Sequence, residues 1–196
     1  MSYSFTDIKK TYNGQIVLDN LSLDFNDTGI YLLKGDSGAG KTTLLKLLSG
    51  IEKLDTGTHL SIRSTSISFQ DNRLFPWLTA LENILIVHEN PKDNHLLALA
   101  KEKLALLGFS EDDMNKRPDE LSGGMKQRVS LLRAILYPTE VLLLDEPTKE
   151  MDSLLVKKIC EMLKDEARER LVILSSHDDL SMYIEFDGTI IIPKIS

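Results

Sequence analysis

The chain has 196 residues, 42% hydrophobic and 27% charged, enough to bury one sizeable core and too few for two ordinary domains. With 23 Lys and Arg against 30 Asp and Glu the formal net charge is −7, which excludes a uniformly basic face for gripping nucleic acid, so no nucleic-acid partner is expected. No apolar run approaches the roughly 18 residues that crossing a bilayer requires, and Met1 to Lys10 is mixed and carries Asp7, so a cytoplasmic protein without a secretory signal is expected.

In chain order, Ile16–Leu18 and Leu21–Phe25 read as two strands, the second with apolar residues at every other position. Ile30–Leu33 is apolar throughout and reads as a buried strand. It runs into a glycine-rich turn, Gly35 to Gly40, and then a helix carrying Leu44, Leu45, Leu47 and Leu48 that stops at Gly50. From Asp71 to Tyr137 the period is helical. Thr79 and Glu82 stand at capping-box spacing ahead of Ile84–Val87. Asp93 can cap a segment whose Leu96, Leu99, Ala100, Leu104 and Leu107 share a face, with Gly108 as its stop. Val141–Leu144 is again a fully apolar run, Leu155, Ile159, Met162 and Leu163 mark a helix, and Leu171–Leu174 is a further buried strand. Late strands are expected at Met182–Phe186 and Thr189–Ile192. The lone Cys160 falls inside a helical pattern and reads as packing material, which leaves no intrachain disulfide. The pattern predicts one α/β domain over residues 1–196, with a mostly parallel core at 1–70 and 138–196, an N-terminal β portion and an inserted helical subdomain at 71–137.

Gly35-Asp36-Ser37-Gly38-Ala39-Gly40-Lys41-Thr42 fits the P-loop pattern, two glycines bracketing four residues and followed by Lys and a hydroxyl. Glycines let successive N–H groups turn toward one oxyanion, and the following helix adds the positive end of its dipole. Lys41 suits the β- and γ-phosphates of a nucleotide, and the Thr42 hydroxyl is a hard oxygen suited to Mg²⁺. Thr43 follows on the same turn. Val141–Leu144 then delivers Asp145 and Glu146 to a strand's carboxyl end, the edge where open α/β sheets bind ligands. Asp145 suits the metal ion, and Glu146 suits a base acting on water.

Leu121-Ser122-Gly123-Gly124-Met125-Lys126-Gln127-Arg128 resembles the signature motif of the ATP-binding cassette (ABC) ATPases. The resemblance covers nearly the whole chain. It implies that Tyr12 is the aromatic platform for adenine, Gly35 to Thr43 the triphosphate cradle, Gln70 a contact for Mg²⁺ and the attacking water, and His177 a partner of the γ-phosphate. It implies ATP and Mg²⁺ as cofactors, and two copies paired head to tail, with Ser122, Gly123 and Gly124 of one facing the nucleotide of the other. His59, His88 and His95 have no such placement and read as surface or packing residues.

Leu74-Phe75-Pro76-Trp77-Leu78-Thr79, followed by Leu81-Glu82-Asn83, is similar to the ATP-binding subunits of nitrate, sulfonate and taurine importers, as is Met125 within the signature. That implies a separate membrane permease docking at Phe75 and Trp77, a solute-binding protein beyond it, attachment to the inner membrane face through the permease, and a small anion or sulfonate-like solute. The alternative is a soluble cassette acting as a switch on a macromolecule, but such relatives carry coiled-coil arms, tandem cassettes or basic tracts. Two departures stand out. The interval from Lys41 to Gln70 is short, so a strand pair is expected to be trimmed there. Lys149-Glu150-Met151 precedes Asp152 where the family usually has Ser-Ala-Leu. The chain also ends soon after His177, leaving no room in it for a regulatory domain.

Overall fold

In a computed structural model that describes residues 2–59 and 62–195, with only the backbone of His59, the three apolar runs become the inner strands of one sheet. The elements are β1 (Ser2–Tyr12), β2 (Gln15–Asn26), β3 (Gly29–Lys34), α1 (Lys41–Leu48), β4 (Thr56–His59), β5 (Thr65–Ser68), α2 (Ala80–Leu85), α3 (Asn94–Leu106) and α4 (Glu111–Met114). After a 3₁₀ turn at Pro118–Glu120 come α5 (Gly123–Leu136), β6 (Val141–Asp145), α6 (Ser153–Glu169), β7 (Leu171–Ser175) and β8 (Gly188–Ile191). The larger sheet has the order β5-β6-β7-β3-β8, each neighbouring pair parallel.

Alternate side chains of a strand face opposite ways, and here the two faces feed two separate cores. Ile30, Leu32, Leu142, Leu144, Val172 and Leu174 pack among Ile84, Leu104, Leu132 and Ile159 of the helices. Tyr31, Leu33, Val141, Leu143, Leu171 and Ile173 pack against Leu44 and Leu45 of α1 and against Ile8 and Phe25 of the smaller sheet. Covering on both faces is why these strands carry no polar alternation.

The smaller sheet is antiparallel, in the order β2-β1-β4. Where the sequence suggested two strands, β2 is continuous and bends at Asn20, whose φ is 50°. Leu18 and Leu23 differ in parity yet both are buried, because the bulge advances the register by one residue. The same device at Asp7 (φ 53°) lets both Phe5 and Ile8 face inward, and it hides β1 from any period-two reading. The short interval between Lys41 and Gln70 still holds two four-residue strands, β4 in one sheet and β5 at the edge of the other. Met182–Phe186 is not a strand. The N–H groups of Tyr183 and Ile184 both donate to the Leu180 carbonyl at 2.9 Å, and Leu180 and Ile184 are buried together at the four-residue spacing of a helical turn.

The helix boundaries follow their caps. Thr79 and Glu82 form the reciprocal pair, with Thr79 N–H donating to Glu82 Oε2 at 2.8 Å and Glu82 N–H to Thr79 Oγ1 at 3.2 Å. Asp93 Oδ1 accepts from the N–H groups of His95 and Leu96, and Gly108 (φ 86°) follows the end of α3. Cys160 is fully buried in α6, where burial pushes its thiol up to about 11.

Arg170, just before β7, ties the end of α5 to α6. Its buried guanidinium donates to the carbonyls of Ile135 and Tyr137 and to Thr139 Oγ1, and pairs with Glu166 Oε2 at 2.8 Å. It supplies donors that the last carbonyls of α5 lack within the helix. Replacing Arg170 by Ala strands those acceptors in the interior and is expected to lower stability by about 3 kcal/mol. Urea unfolding checks this: the midpoint falls while the slope stays constant.

Candidate functional site

From β3 the chain turns through Gly35–Gly40 into α1. A Cβ on Gly35 would lie 2.7 Å from the Ile192 carbonyl, and one on Gly40 would lie 3.0 Å from Leu18 Cδ2, so close packing dictates the first glycine and left-handed backbone (φ 101°) with side-chain crowding the second. Gly40 is also the N-cap of α1 and offers no side-chain acceptor, which leaves the first-turn N–H groups available to an anion. Lys41 is buried, and its Nζ donates to the carbonyls of Gly35 at 2.7 Å and Asp36 at 3.2 Å.

The carboxyl ends of β3, β5, β6 and β7 meet at one sheet edge, because the strands are parallel and adjacent. Asp145, at the end of β6, is 6% exposed. Thr42 Oγ1 donates to its Oδ2 at 2.6 Å and Ser175 Oγ to its Oδ1 at 2.7 Å. Glu146 follows with φ 52°, its N–H donating to Ser175 Oγ at 3.0 Å and its carbonyl accepting from Gln127 Nε2 at 3.1 Å. His177, two residues beyond β7, brings Nε2 to 3.2 Å from Glu146 Oε1 and 3.3 Å from Lys41 Nζ.

These groups enclose a cavity of about 220 Å³, lined by Ser37, Gly38, Gly40, Lys41, Thr42, Thr43, Gln70, Asp145, Glu146 and His177, with Val17 from β2. Gly35, Asp36 and Ala39 shape the loop without lining the cavity. Tyr12 stands beside it. It is 36% exposed with Lys10 Nζ 5.2 Å from its ring, and burial and neighbouring Glu52 raise its pKa. Ser122, Gly123 and Gly124 are exposed at the start of α5, outside the cavity. Ser122 Oγ accepts from Met125 N–H at 3.2 Å, and a Cβ on either glycine would meet nothing within 4 Å. Nothing within the chain requires glycine there.

His88 packs edge-to-face on Tyr137 at 5.7 Å, where burial lowers its pKa, and His95 is exposed; neither reaches the cavity. The His59 side chain lies outside the described residues. Phe75 and Trp77 are 38% and 65% exposed, their rings 5.5 Å apart. Their loop is held by fully buried Asn83, whose Oδ1 accepts from Phe75 N–H at 2.8 Å while Nδ2 donates to the carbonyls of Phe75, Leu78 and Thr79.

Sequence reasoning missed Ser175, Gln127 and Val17. Ser175 carried one signal, since it ends an apolar strand as Asp145 does, and the two residues are register partners. Gln127 and Val17 gave none, because their roles arise from contacts distant in sequence.

An uncapped helix behind a glycine loop, a buried lysine and a hydroxyl–carboxylate pair on a parallel sheet edge define a P-loop nucleotide-binding protein. Within that class the chain belongs to the ABC transporter family, whose profile matches residues 18–149. It is 39% identical over 160 residues to the bicarbonate transport ATP-binding protein CmpD of Synechocystis, covering 75% of this chain and 56% of that one. It is 37% identical over 182 residues to the aliphatic sulfonates import ATP-binding protein SsuB 2 of Paraburkholderia xenovorans, covering 91% and 71%. The fold superposes on a dimeric ATP-binding cassette, MJ0796, in a post-hydrolysis state bound to ADP and Pi, with a TM-score of 0.82 at 26% identity over 97% of this chain and 94% of that one. Among the described residues no helix is long and apolar enough to cross a membrane.

Ser175 serves both carboxylate-bearing residues at once. Ser175→Ala leaves a buried carboxylate oxygen without its donor and the Glu146 N–H without that acceptor, so a loss of about 1–3 kcal/mol is expected. Chemical denaturation checks it, and Ser175→Thr, which keeps the hydroxyl, should lose less.

Proposed function

We propose that this chain hydrolyses MgATP in the cavity at the sheet's carboxyl edge and that the cycle drives import of a small anion or sulfonate-like solute through a separate membrane permease. The observation that carries the reading is the convergence of Lys41, Thr42, Gln70, Asp145, Glu146 and His177 on one cavity from four separate strand ends. The relatives' names, for bicarbonate and aliphatic sulfonates, support the solute class.

The loop and first-turn N–H groups of α1 receive the phosphate oxygens, and Lys41 exchanges the Gly35 and Asp36 carbonyls for the β- and γ-phosphates. Thr42 Oγ1, Asp145 and the Gln70 side chain are hard oxygen donors and fit a magnesium ion, which when bound neutralises phosphate charge. Glu146 accepts the proton of a water, oriented by Gln70, that attacks the γ-phosphorus in line. The bond from that phosphorus to the bridging oxygen of the β-phosphate breaks, releasing ADP and phosphate. His177, between Glu146 and Lys41, holds a γ-phosphate oxygen. Tyr12, beside Thr43, carries the adenine.

Ser122, Gly123 and Gly124 stand bare and outside their own chain's cavity, which supports a role against the nucleotide of a second copy paired head to tail. ATP then favours the closed pair through contacts that hydrolysis removes. Residues 1–70 and 138–196 carry the nucleotide, and 71–137 carry the signature and the permease contact. Phe75 and Trp77, exposed yet fixed by Asn83, offer an aromatic docking face to a cytoplasmic segment of the permease, which holds the chain on the inner membrane face and links it indirectly to a solute-binding protein.

Glu146→Gln is expected to lower turnover at least 100-fold and to accumulate an ATP-loaded dimer in light scattering. Undiminished turnover would identify a different base, and a monomer under saturating MgATP would refute the pairing. Changing Phe75 and Trp77 together to Ser should abolish co-purification with the permease while nucleotide affinity of the isolated chain is retained; an intact assembly would remove the docking role.

A further inference from the structure

The turn from Glu146 to Met151 closes on itself. Lys149 N–H donates to the Glu146 carbonyl at 3.3 Å and Met151 N–H to the Thr148 carbonyl at 3.2 Å. Glu146 and Glu150 take left-handed backbone, with φ of 52° and 59°. Non-glycine residues enter that region at a price in backbone energy. What the turn achieves is placement: Lys149 Nζ comes to 3.6 Å from Glu146 Oε2, while His177 Nε2 takes Oε1 at 3.2 Å. Both oxygens of the carboxylate are engaged within one chain. The two partners stand differently toward the nucleotide, since His177 lines the cavity and Lys149 does not. Lys149 therefore acts on the carboxylate from behind and has no contact with the phosphate space.

A carboxylate that accepts a proton from water must turn an oxygen toward that water. An ammonium ion 3.6 Å from Oε2 and the His177 ring at Oε1 restrain the rotation of a side chain that is only 15% exposed and poorly screened by solvent. The Lys149 side chain is 40% exposed, so the pair opens readily. We propose that Lys149 is a positioning residue that latches Glu146 in the resting chain and restrains ATP hydrolysis until the turn shifts. This rests on the reading of Glu146 as the base.

The test uses the intact chain with three variants, Lys149→Met, Lys149→Arg and Glu146→Gln, and follows steady-state hydrolysis of MgATP. Lys149→Met keeps the apolar stem and removes the charge. Its kcat should rise about two- to five-fold, the scale of a half-exposed ion pair, with KM unchanged because Lys149 does not line the cavity. Lys149→Arg, which restores a cation, should bring the rate back down. Added NaCl should raise the wild-type rate and leave that of Lys149→Met flat. Equal thermal midpoints for the wild type and Lys149→Met would separate the latch from a folding effect. A kcat for Lys149→Met at or below the wild-type value, or a change confined to KM, overturns the latch. Should Glu146→Gln keep full turnover, the base itself is misassigned; should it abolish turnover while Lys149→Met gains nothing, the latch alone fails.

Discussion

The site is organised around a carboxylate that the fold buries. Asp145 ends a strand of four fully enclosed aliphatic residues, and withdrawing such a charge from water costs several kcal/mol unless donors replace the solvent. The two replacements come from different elements, Thr42 on α1 and Ser175 on β7. Each hydrogen bond is therefore also a positional constraint. The glycine loop cannot drift from β6 without stranding Asp145, and β7 cannot slip in register without removing the hydroxyl that also accepts from Glu146. The compensation for one buried charge fixes the relative places of the loop, the metal-type oxygens and the neighbouring carboxylate.

Much of this was legible in the sequence where chemistry is local. The glycine loop, the acids after Val141–Leu144, the Thr79 cap and the Asp93 cap depend on residues a few positions apart, and each occurs where its pattern placed it. The inner strands were legible because burial on both faces removes polar residues altogether. What stayed hidden depends on phase or on distance. β1 conceals its period because Asp7 advances the register midway, and Met182–Phe186 imitates a strand while burying residues at helical spacing. Ser175 and Gln127 matter through partners that only the fold brings near.

The same distinction explains why the signature segment and the cavity look unrelated within a single chain. Ser122 to Gly124 were recognisable as a signature-type segment, yet their backbone faces open space and the cavity of the same chain lies elsewhere. Glycines retained at positions free of internal crowding have no packing reason for being glycine. Their backbone N–H groups are open to solvent beside the Ser122 cap, so the surface is free for contact from outside the chain.

Helix α5 joins these surfaces mechanically. Its N-terminus carries Ser122 to Gly124, its first turns send Gln127 to the Glu146 carbonyl, and its flank packs on α2, whose Asn83 grips the loop bearing Phe75 and Trp77. A close-packed helix transmits displacement because its neighbours cannot yield without opening voids. The aromatic face is therefore linked to the backbone of Glu146 through packed contacts, and that backbone sits in the left-handed region, hydrogen-bonded at both its N–H and its carbonyl. Movements of α5 therefore bear directly on the turn that holds Glu146, because Gln127 is tied to its carbonyl.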